Sequence, residues 1–298
     1  MLIEIHLLQN HAPGNLNRDD TGSPKEATFG GVRRARISSQ CLKRTARRSD
    51  KFRTALDGRL ATRTRTLPER VKENLLKRGL APELAEVAAR KASGFGTEAG
   101  KERPAEKDGK FKTAQTMFLT DGDVAAVADV LHDEAVKHAD AKSFDKITAK
   151  DLQARVKDDG RRDKTVDVAL FGRMVTSEAF VDVDASCQVA HALSTHAVAH
   201  EFDYYTAVDD VERTADDAAG SGADMIGDVE FNSACYYKYL NVHVDGLLAN
   251  LGGKSDESRE VAAAAVRALL DAIAHESPSG KQNSFASHPR PAAILVEI

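Results

Sequence analysis

The segment Phe29–Ser49 (FGGVRRARISSQCLKRTARRS) constrains this chain more than any other. It carries seven basic side chains and no acidic one. Over Arg33–Arg78 sixteen basic residues stand against four acidic ones, a local charge of +12 in a chain of formal net charge −4. Such asymmetry is the footprint of a polyanion partner, and it implies salt-dependent binding through counterion release. Gly30-Gly31 allows a turn, Ser38 or Ser39 suits a helix N-cap, and Gln40–Ser49 then reads as a short helix. On that helix Lys43 and Arg47 share one face, Arg44 and Arg48 another. Ile37, Leu42 and Ala46 are left to face a core.

At 298 residues and 42% hydrophobic the chain has enough apolar mass for a sizeable core. No run of about 18 apolar residues is present, and Met1 leads into an alternating segment without a basic leader. The three cysteines, Cys41, Cys187 and Cys235, match neither a zinc spacing nor a disulfide framework and suit a reducing, cytoplasmic setting. There is no Trp and aromatics are 5%, so any base stacking must use a few Phe, Tyr or Met.

Leu2–Leu8 alternates as a strand, and Asn10–Pro24 reads as loop. Residues 50–165 are charged, Ala-rich and helical in pattern, with helices expected over Glu69–Arg78, Pro82–Lys91, Asp121–His138 and Ala149–Val156. Ser93–Lys112 reads as a loop or disordered tip. Thr165–Gly172 is expected to be a strand, Asp184–His200 a helix, and Asp203–Glu230 an acidic excursion. Phe231–Val244 is expected as a strand, Ser258–His275 as a helix and Ala292–Ile298 as a last strand. Without the excursions, this order resembles a ferredoxin-like, RNA-recognition-motif type α+β core.

No GxSxG elbow, Walker A loop or HExxH occurs. His196 and His200, four apart on a helix with Glu201 beside them, could seed a metal site, but no third ligand stands at fitting spacing. Asp19-Asp20 reads as loop acids rather than a metal-dependent nuclease pair. His6 and His243 read as sheet residues. An RNA-binding structural subunit, a metal-independent ribonuclease and a DNA-binding regulator remain. The last lacks the helix that should pack before a recognition helix.

Asn17-Arg18-Asp19-Asp20, Phe29-Gly30-Gly31, Arg33-Arg34 and Arg36-Ile37-Ser38-Ser39-Gln40 with Leu42-Lys43-Arg44 resemble the CasC family, the RAMP-superfamily backbone subunit of the type I-E Cascade CRISPR surveillance complex. Asp167-Val168-Ala169-Leu170, Gly172-Arg173-Met174, Ala190-His191-Ala192, Thr195-His196, Thr206-Ala207-Val208-Asp209-Asp210 and Leu251-Gly252-Gly253 continue the resemblance in order. Residues 50–165 match only in character, and members usually continue some tens of residues past the point where this chain ends. The resemblance implies a palm over 1–49, 166–200 and 231–298, helical fingers over 50–165 and a thumb over 201–230. It implies a non-catalytic, cytoplasmic protein without cofactor or metal. Several copies stack along one CRISPR RNA beside the large, small, 5′-handle-binding and repeat-cleaving Cascade subunits, and present the guide to target DNA in antiviral defence. The residues implied to touch RNA are Arg18, Lys25, Ser38, Gln40, Lys43 and Arg47, with Met174 and Tyr205 against bases. The alternative is a RAMP-superfamily endoribonuclease, with His11, Asp19 or Asp20 as its general base.

Overall fold

The computed structural model describes residues 1–138, 140–156, 164–207 and 225–298. The parts of the expected thumb at 208–224, including Val208, Asp209 and Asp210 of the matched motif, lie outside the described residues. In chain order the elements are β1 (Leu2–Gly14), β2 (Glu26–Phe29), β3 (Val32–Ile37), α1 (Ser39–Arg48), α2 (Asp50–Ala55), β4 (Thr62–Thr64), α3 (Leu67–Lys77) and α4 (Pro82–Ala92). Then come β5 (Met117–Leu119), α5 (Asp121–His138), α6 (Ala141–Asp145), α7 (Ala149–Arg155), α8 (Val166–Phe171), β6 (Cys187–Val189), β7 (Ala192–Ser194) and β8 (Glu201–Ala207). The last are β9 (Met225–His243), α9 (Val244–Asn250), α10 (Asp256–His275), α11 (Gln282–Phe285) and β10 (Ala293–Glu297). Among the described residues no helix is long and apolar enough to cross a membrane.

The chain forms two compact units. The first comprises Met1, Arg53–Cys187 and Val242–Val266. Its helices start where the sequence offers caps. Pro68 and Pro82 stand in the first turns of α3 and α4, where no backbone donor is needed. Thr120 and Asp123 cap α5 reciprocally, at 2.9 and 3.0 Å. Thr148 caps α7 through the Asp151 amide at 3.1 Å. Leu75, Phe95, Val127, Leu131 and Phe144 close a core between these helices. The expected loop at Ser93–Lys112 begins instead with a buried 3-10 turn, Ser93–Gly96, pinned where Ser93 Oγ accepts the Arg103 amide at 2.8 Å.

Thr165–Gly172, expected as a strand, is the helix α8. Its Val, Val and Leu fit period two, but the segment is buried all round and so has no polar face to set a period. Asp167 fixes it by accepting the Ala61 amide at 2.8 Å.

The second unit comprises Leu2–Phe52, Gln188–Asn241 and Arg267–Ile298. Its sheet runs β10-β1-β9-β7-β3-β2, with β6 and β8 also pairing to β9. β10-β1-β9-β7 is the 4-1-3-2 order of a ferredoxin-like sheet, so the fold is α+β as expected. Asp184–His200, expected as a helix, supplies β6 and β7 instead. Backbone bonds from Ala190 to Tyr239 at 2.9 Å and from Thr195 to Cys235 at 2.8 Å bind it to β9. Pairing with a central strand thus overrides the helix preference of its alanines. β1 also outruns its expected end at Leu8: Gln9 and His11 are buried, continuing the alternation of Ile5 and Leu7. Gly30 and Gly31, at φ 63° and 79°, make the two-residue turn between β2 and β3, where Phe29 pairs with Val32.

Candidate nucleic-acid interface

The basic helix forms where it was expected. Ser38 is its N-cap: the hydroxyl accepts the Cys41 amide at 3.3 Å, while Leu42 and Ala46 turn into the interior. The loop before β2 is folded back onto this start. Asn17 Oδ1 accepts the Ser38 amide at 2.8 Å, and the Lys25 amide donates to Asn17 O at 2.9 Å. The Lys25 carbonyl in turn accepts the Arg36 amide at 2.8 Å. Lys25 is thereby carried to the positive pole of a helix.

His191 shows which charges converge there. Delivered by the turn before β7, its Nδ1 accepts the Ser39 amide at 3.2 Å. Burial first, then the charges of Arg36, Lys25 and Lys43, push its imidazole below the ordinary histidine value. Lys25, Arg36 and Lys43 thus lie near this imidazole at the pole of α1. In the sequence His191 stands only inside the Ala190-His191-Ala192 motif; no local pattern shows that it meets Ser39, 152 residues earlier in the chain.

A groove of about 930 Å³ runs beside α1, lined by Arg18, Arg44 and Arg48 and closed by the loop at 276–281. Arg18, Arg44 and Arg48 are exposed, whereas Lys43 and Arg47 lie half-buried on the neighbouring helical face. Gln40 is exposed in the first turn. Arg33, Arg34 and Arg36 are built into the sheet. Arg33 pairs with Glu26, Arg34 donates to Ser194 O at 2.8 Å and Phe29 O at 3.0 Å, and Arg36 donates to Glu26 O at 3.0 Å.

Asp19 hydrogen-bonds within its own loop. Its Oδ1 accepts the Thr21 amide at 2.9 Å, the Thr21 hydroxyl at 2.8 Å and the Ser23 amide at 3.0 Å, and these bonds hold the carboxyl below its usual range. His11 is buried, and burial together with the charge of Lys238 pushes its pKa down to about 4. No helix carries His196 and His200: His196 Nδ1 contacts Ala197 O, and His200 sits between Glu26 and Glu230. Among the described residues no group of three or more His, Cys, Asp or Glu could hold a metal ion. His6 is in the sheet and His243 caps α9, its Nδ1 accepting the Gly246 amide at 3.0 Å.

Tyr205 stands on β8, paired with Gly227 of β9 in an antiparallel hairpin. Its ring lies across Gly227, where an added Cβ would come within 2.6 Å of the phenol oxygen. Every residue of β8 is exposed, Tyr205 to 40%, and Phe202, Tyr204, Met225 and Ile226 give the hairpin an apolar surface. Met174 belongs to the first unit and is 88% exposed, beside Arg173, whose guanidinium meets Asp123 at 2.7 Å in the interior.

The fold and the basic pole define an α+β protein that presents cations on a short helix beside a ferredoxin-like sheet. The chain belongs to the Cas family of CT1975-like proteins, whose model matches residues 3–298. No curated protein matches it. It is similar to a chain of a solved "CRISPR RNA-guided surveillance complex, pre-nicking", with 31% identity and a TM-score of 0.79 over 99% of this chain and 78% of that one. It is also similar to a chain of a "CRISPR RNA-guided surveillance complex", with 25% identity and a TM-score of 0.66 over 99% of this chain and 75% of that one.

Proposed function

We propose that this chain is a non-catalytic, CRISPR RNA-binding backbone subunit of a Cascade complex of type I-E. The observation that carries the reading is the placing of Lys25 and Lys43 near the start of α1, with Arg18, Arg44 and Arg48 in the groove beside it. Point cations and a helix pole suit phosphate oxygens and read no base edge. A protein that must hold any guide needs that kind of grip and leaves sequence reading to guide–target pairing. Arg18, Lys25, Ser38, Gln40, Lys43 and Arg47 form the phosphate and 2′-hydroxyl track, with 1–49, 166–200 and 231–298 as palm, 50–165 as fingers and 201–230 as thumb. Tyr205 and Met174 lie against bases. Copies of the chain stack along the guide together with the other Cascade subunits in the cytoplasm, and the assembly meets target DNA. Two observations weigh against two of the three bases of the ribonuclease alternative: His11 is buried, and the Asp19 carboxylate is committed to its own loop.

The test is to express the chain with its neighbouring genes and a CRISPR array, purify at moderate salt and sequence the bound nucleic acid. Guide RNA of uniform length in a large assembly is the expected outcome. An RNA-free protein, or RNA trimmed by the chain alone, would refute the reading.

A further inference from the structure

The sheet of the second unit has two faces of different character. Ile5 and Leu7 of β1 and Ala234, Tyr236, Lys238 and Leu240 of β9 point inward, and Lys238 Nζ donates to Ile273 O of α10 at 3.3 Å. The alternate positions face the other way: Glu4 and His6 on β1, and Tyr237 and Tyr239 on β9. They are exposed or half-buried. A cleft of about 570 Å³ opens over them, and Leu193, Phe29 and Arg34 complete its lining.

The rings are arranged as a platform. His6 and Tyr237 stack with centroids 6.1 Å apart and planes 26° apart; His6 and Tyr239 lie 5.0 Å apart. The Tyr237 hydroxyl and His6 Nδ1 share a hydrogen bond of 2.7 Å, and the Tyr239 hydroxyl donates to Glu4 at 2.5 Å. Those bonds fix the rings before any ligand arrives. Arg34 lies 5.8 Å from the centroid of Phe29, so this wall is aromatic and cationic at once. Tyr237 is 42% and Phe29 61% exposed. Two of the five tyrosines of a chain without tryptophan meet here, so the concentration is not a matter of abundance.

His191 also lines this cleft. It is the imidazole that accepts the Ser39 amide at the pole of α1, amid Lys25, Arg36 and Lys43. The aromatic cleft therefore borders these cations directly. We infer that the cleft receives an unpaired nucleobase of the same RNA whose phosphates lie at the start of α1, an inference that rests on the RNA-binding reading above. Aromatic rings on the central strands of such a sheet offer a face to any base, so the contact is sequence-tolerant. The basic border favours a nucleotide over an apolar protein segment as the occupant.

The experiment uses the full chain and single-stranded RNAs carrying 2-aminopurine at successive positions, whose emission is read without interference from tryptophan. In the wild type, binding quenches the probe at one or more positions. Tyr237→Leu and Phe29→Leu weaken binding by about 5- to 150-fold, the range expected for loss of one stacked base, and restore emission. Tyr237→Phe keeps the ring and loses only the bond to His6, so it binds closer to the wild type than Tyr237→Leu does, which separates stacking from folding. Lys25→Gln with Lys43→Gln is the control for the RNA reading. If that control weakens binding while Tyr237→Leu leaves affinity and quenching unchanged, the cleft inference is overturned and the RNA reading stands. If the control also binds like the wild type, both fall. A Tyr237→Leu variant with unchanged RNA affinity but a smaller sedimenting species would assign the cleft to a second copy of the chain, and so overturn the inference.

Discussion

Replacing Arg44 and Arg48 together with glutamine tests the groove beside α1. Both side chains are exposed, line that groove and belong to a helix whose fold depends on Leu42 and Ala46 instead. Glutamine is nearly as good a helix former as arginine, so stability should stay within about 0.5 kcal/mol of the wild type. Each phosphate contact on single-stranded nucleic acid contributes about 0.7 to the slope of log K against log salt. Two lost contacts lower the slope by about 1.4. Between roughly 50 and 200 mM salt the wild type should then lose about 7-fold more affinity than the variant. The assay is fluorescence anisotropy of a labelled single-stranded RNA at four or five salt concentrations, repeated with unrelated sequences. A matched control removes the same charge elsewhere: Arg33→Gln, whose partner is Glu26, with Lys254→Gln, whose partner is Asp245 at 3.2 Å. The control should keep the wild-type slope. An unchanged slope in the Arg44/Arg48 variant, or an equal drop in the control, would refute a local grip in the groove.

Three further outcomes follow from the packing. Lys238 is 1% exposed, and burial lowers its pKa from 10.5 to about 8. The unfolded chain therefore binds more protons between those values, stability rises with pH across that window by about 3 kcal/mol, and Lys238→Met should raise Tm at pH 7 and flatten the rise in a pH-resolved melting series. His11, lowered from 6.5 to about 4, works at the acid end: stability present above pH 6.5 is lost as pH falls through about 4, again by about 3 kcal/mol, and His11→Leu should remove that loss in the same series. Arg173→Met leaves Asp123 buried without its guanidinium partner and should lower stability by about 3–5 kcal/mol in urea unfolding.

What the sequence revealed depended on whether local signals and tertiary partners agreed. For α1 they agree: Ser38 offers a cap, Leu42 and Ala46 offer an apolar stripe, and the structure uses both. The Gly30-Gly31 turn and the bounds of α5 were legible for the same reason. At 184–200 they conflict. The alanines favour a helix, yet β9 offers backbone partners at Ala190 and Thr195, and the sheet prevails. At 165–172 burial on every side erased the pattern that would separate helix from strand. The site was half legible. Lys25, Lys43 and Ser38 meet at the start of α1 as the motif suggested. The groove along Arg44 and Arg48 depends on the distant loop at 276–281, and His191 arrives across the whole insertion, so neither had a local signature.

The charge count overstates what an RNA would feel. Of the seven cations in Phe29–Ser49, Arg33, Arg34 and Arg36 hold Glu26 and the carbonyls of Phe29, Glu26 and Ser194, so their first role is to brace the β2–β3 hairpin, with Arg34 tying it to β7. The cations placed at the helix pole and groove without such a tie, among the described residues, are Arg18, Lys25, Lys43, Arg44 and Arg48. With Arg47 of the proposed track, six contacts on single-stranded RNA give a slope near −4.2, at about 0.7 each. Had all of the local excess of +12 been engaged, the slope would be about −8. A measured slope between about −3.5 and −5 for one copy of the chain on a short RNA therefore fits a grip confined to the loop and α1. A slope near −8 would show that cations beyond α1 also lie along the strand, and would overturn the division between sheet-holding and phosphate-holding arginines.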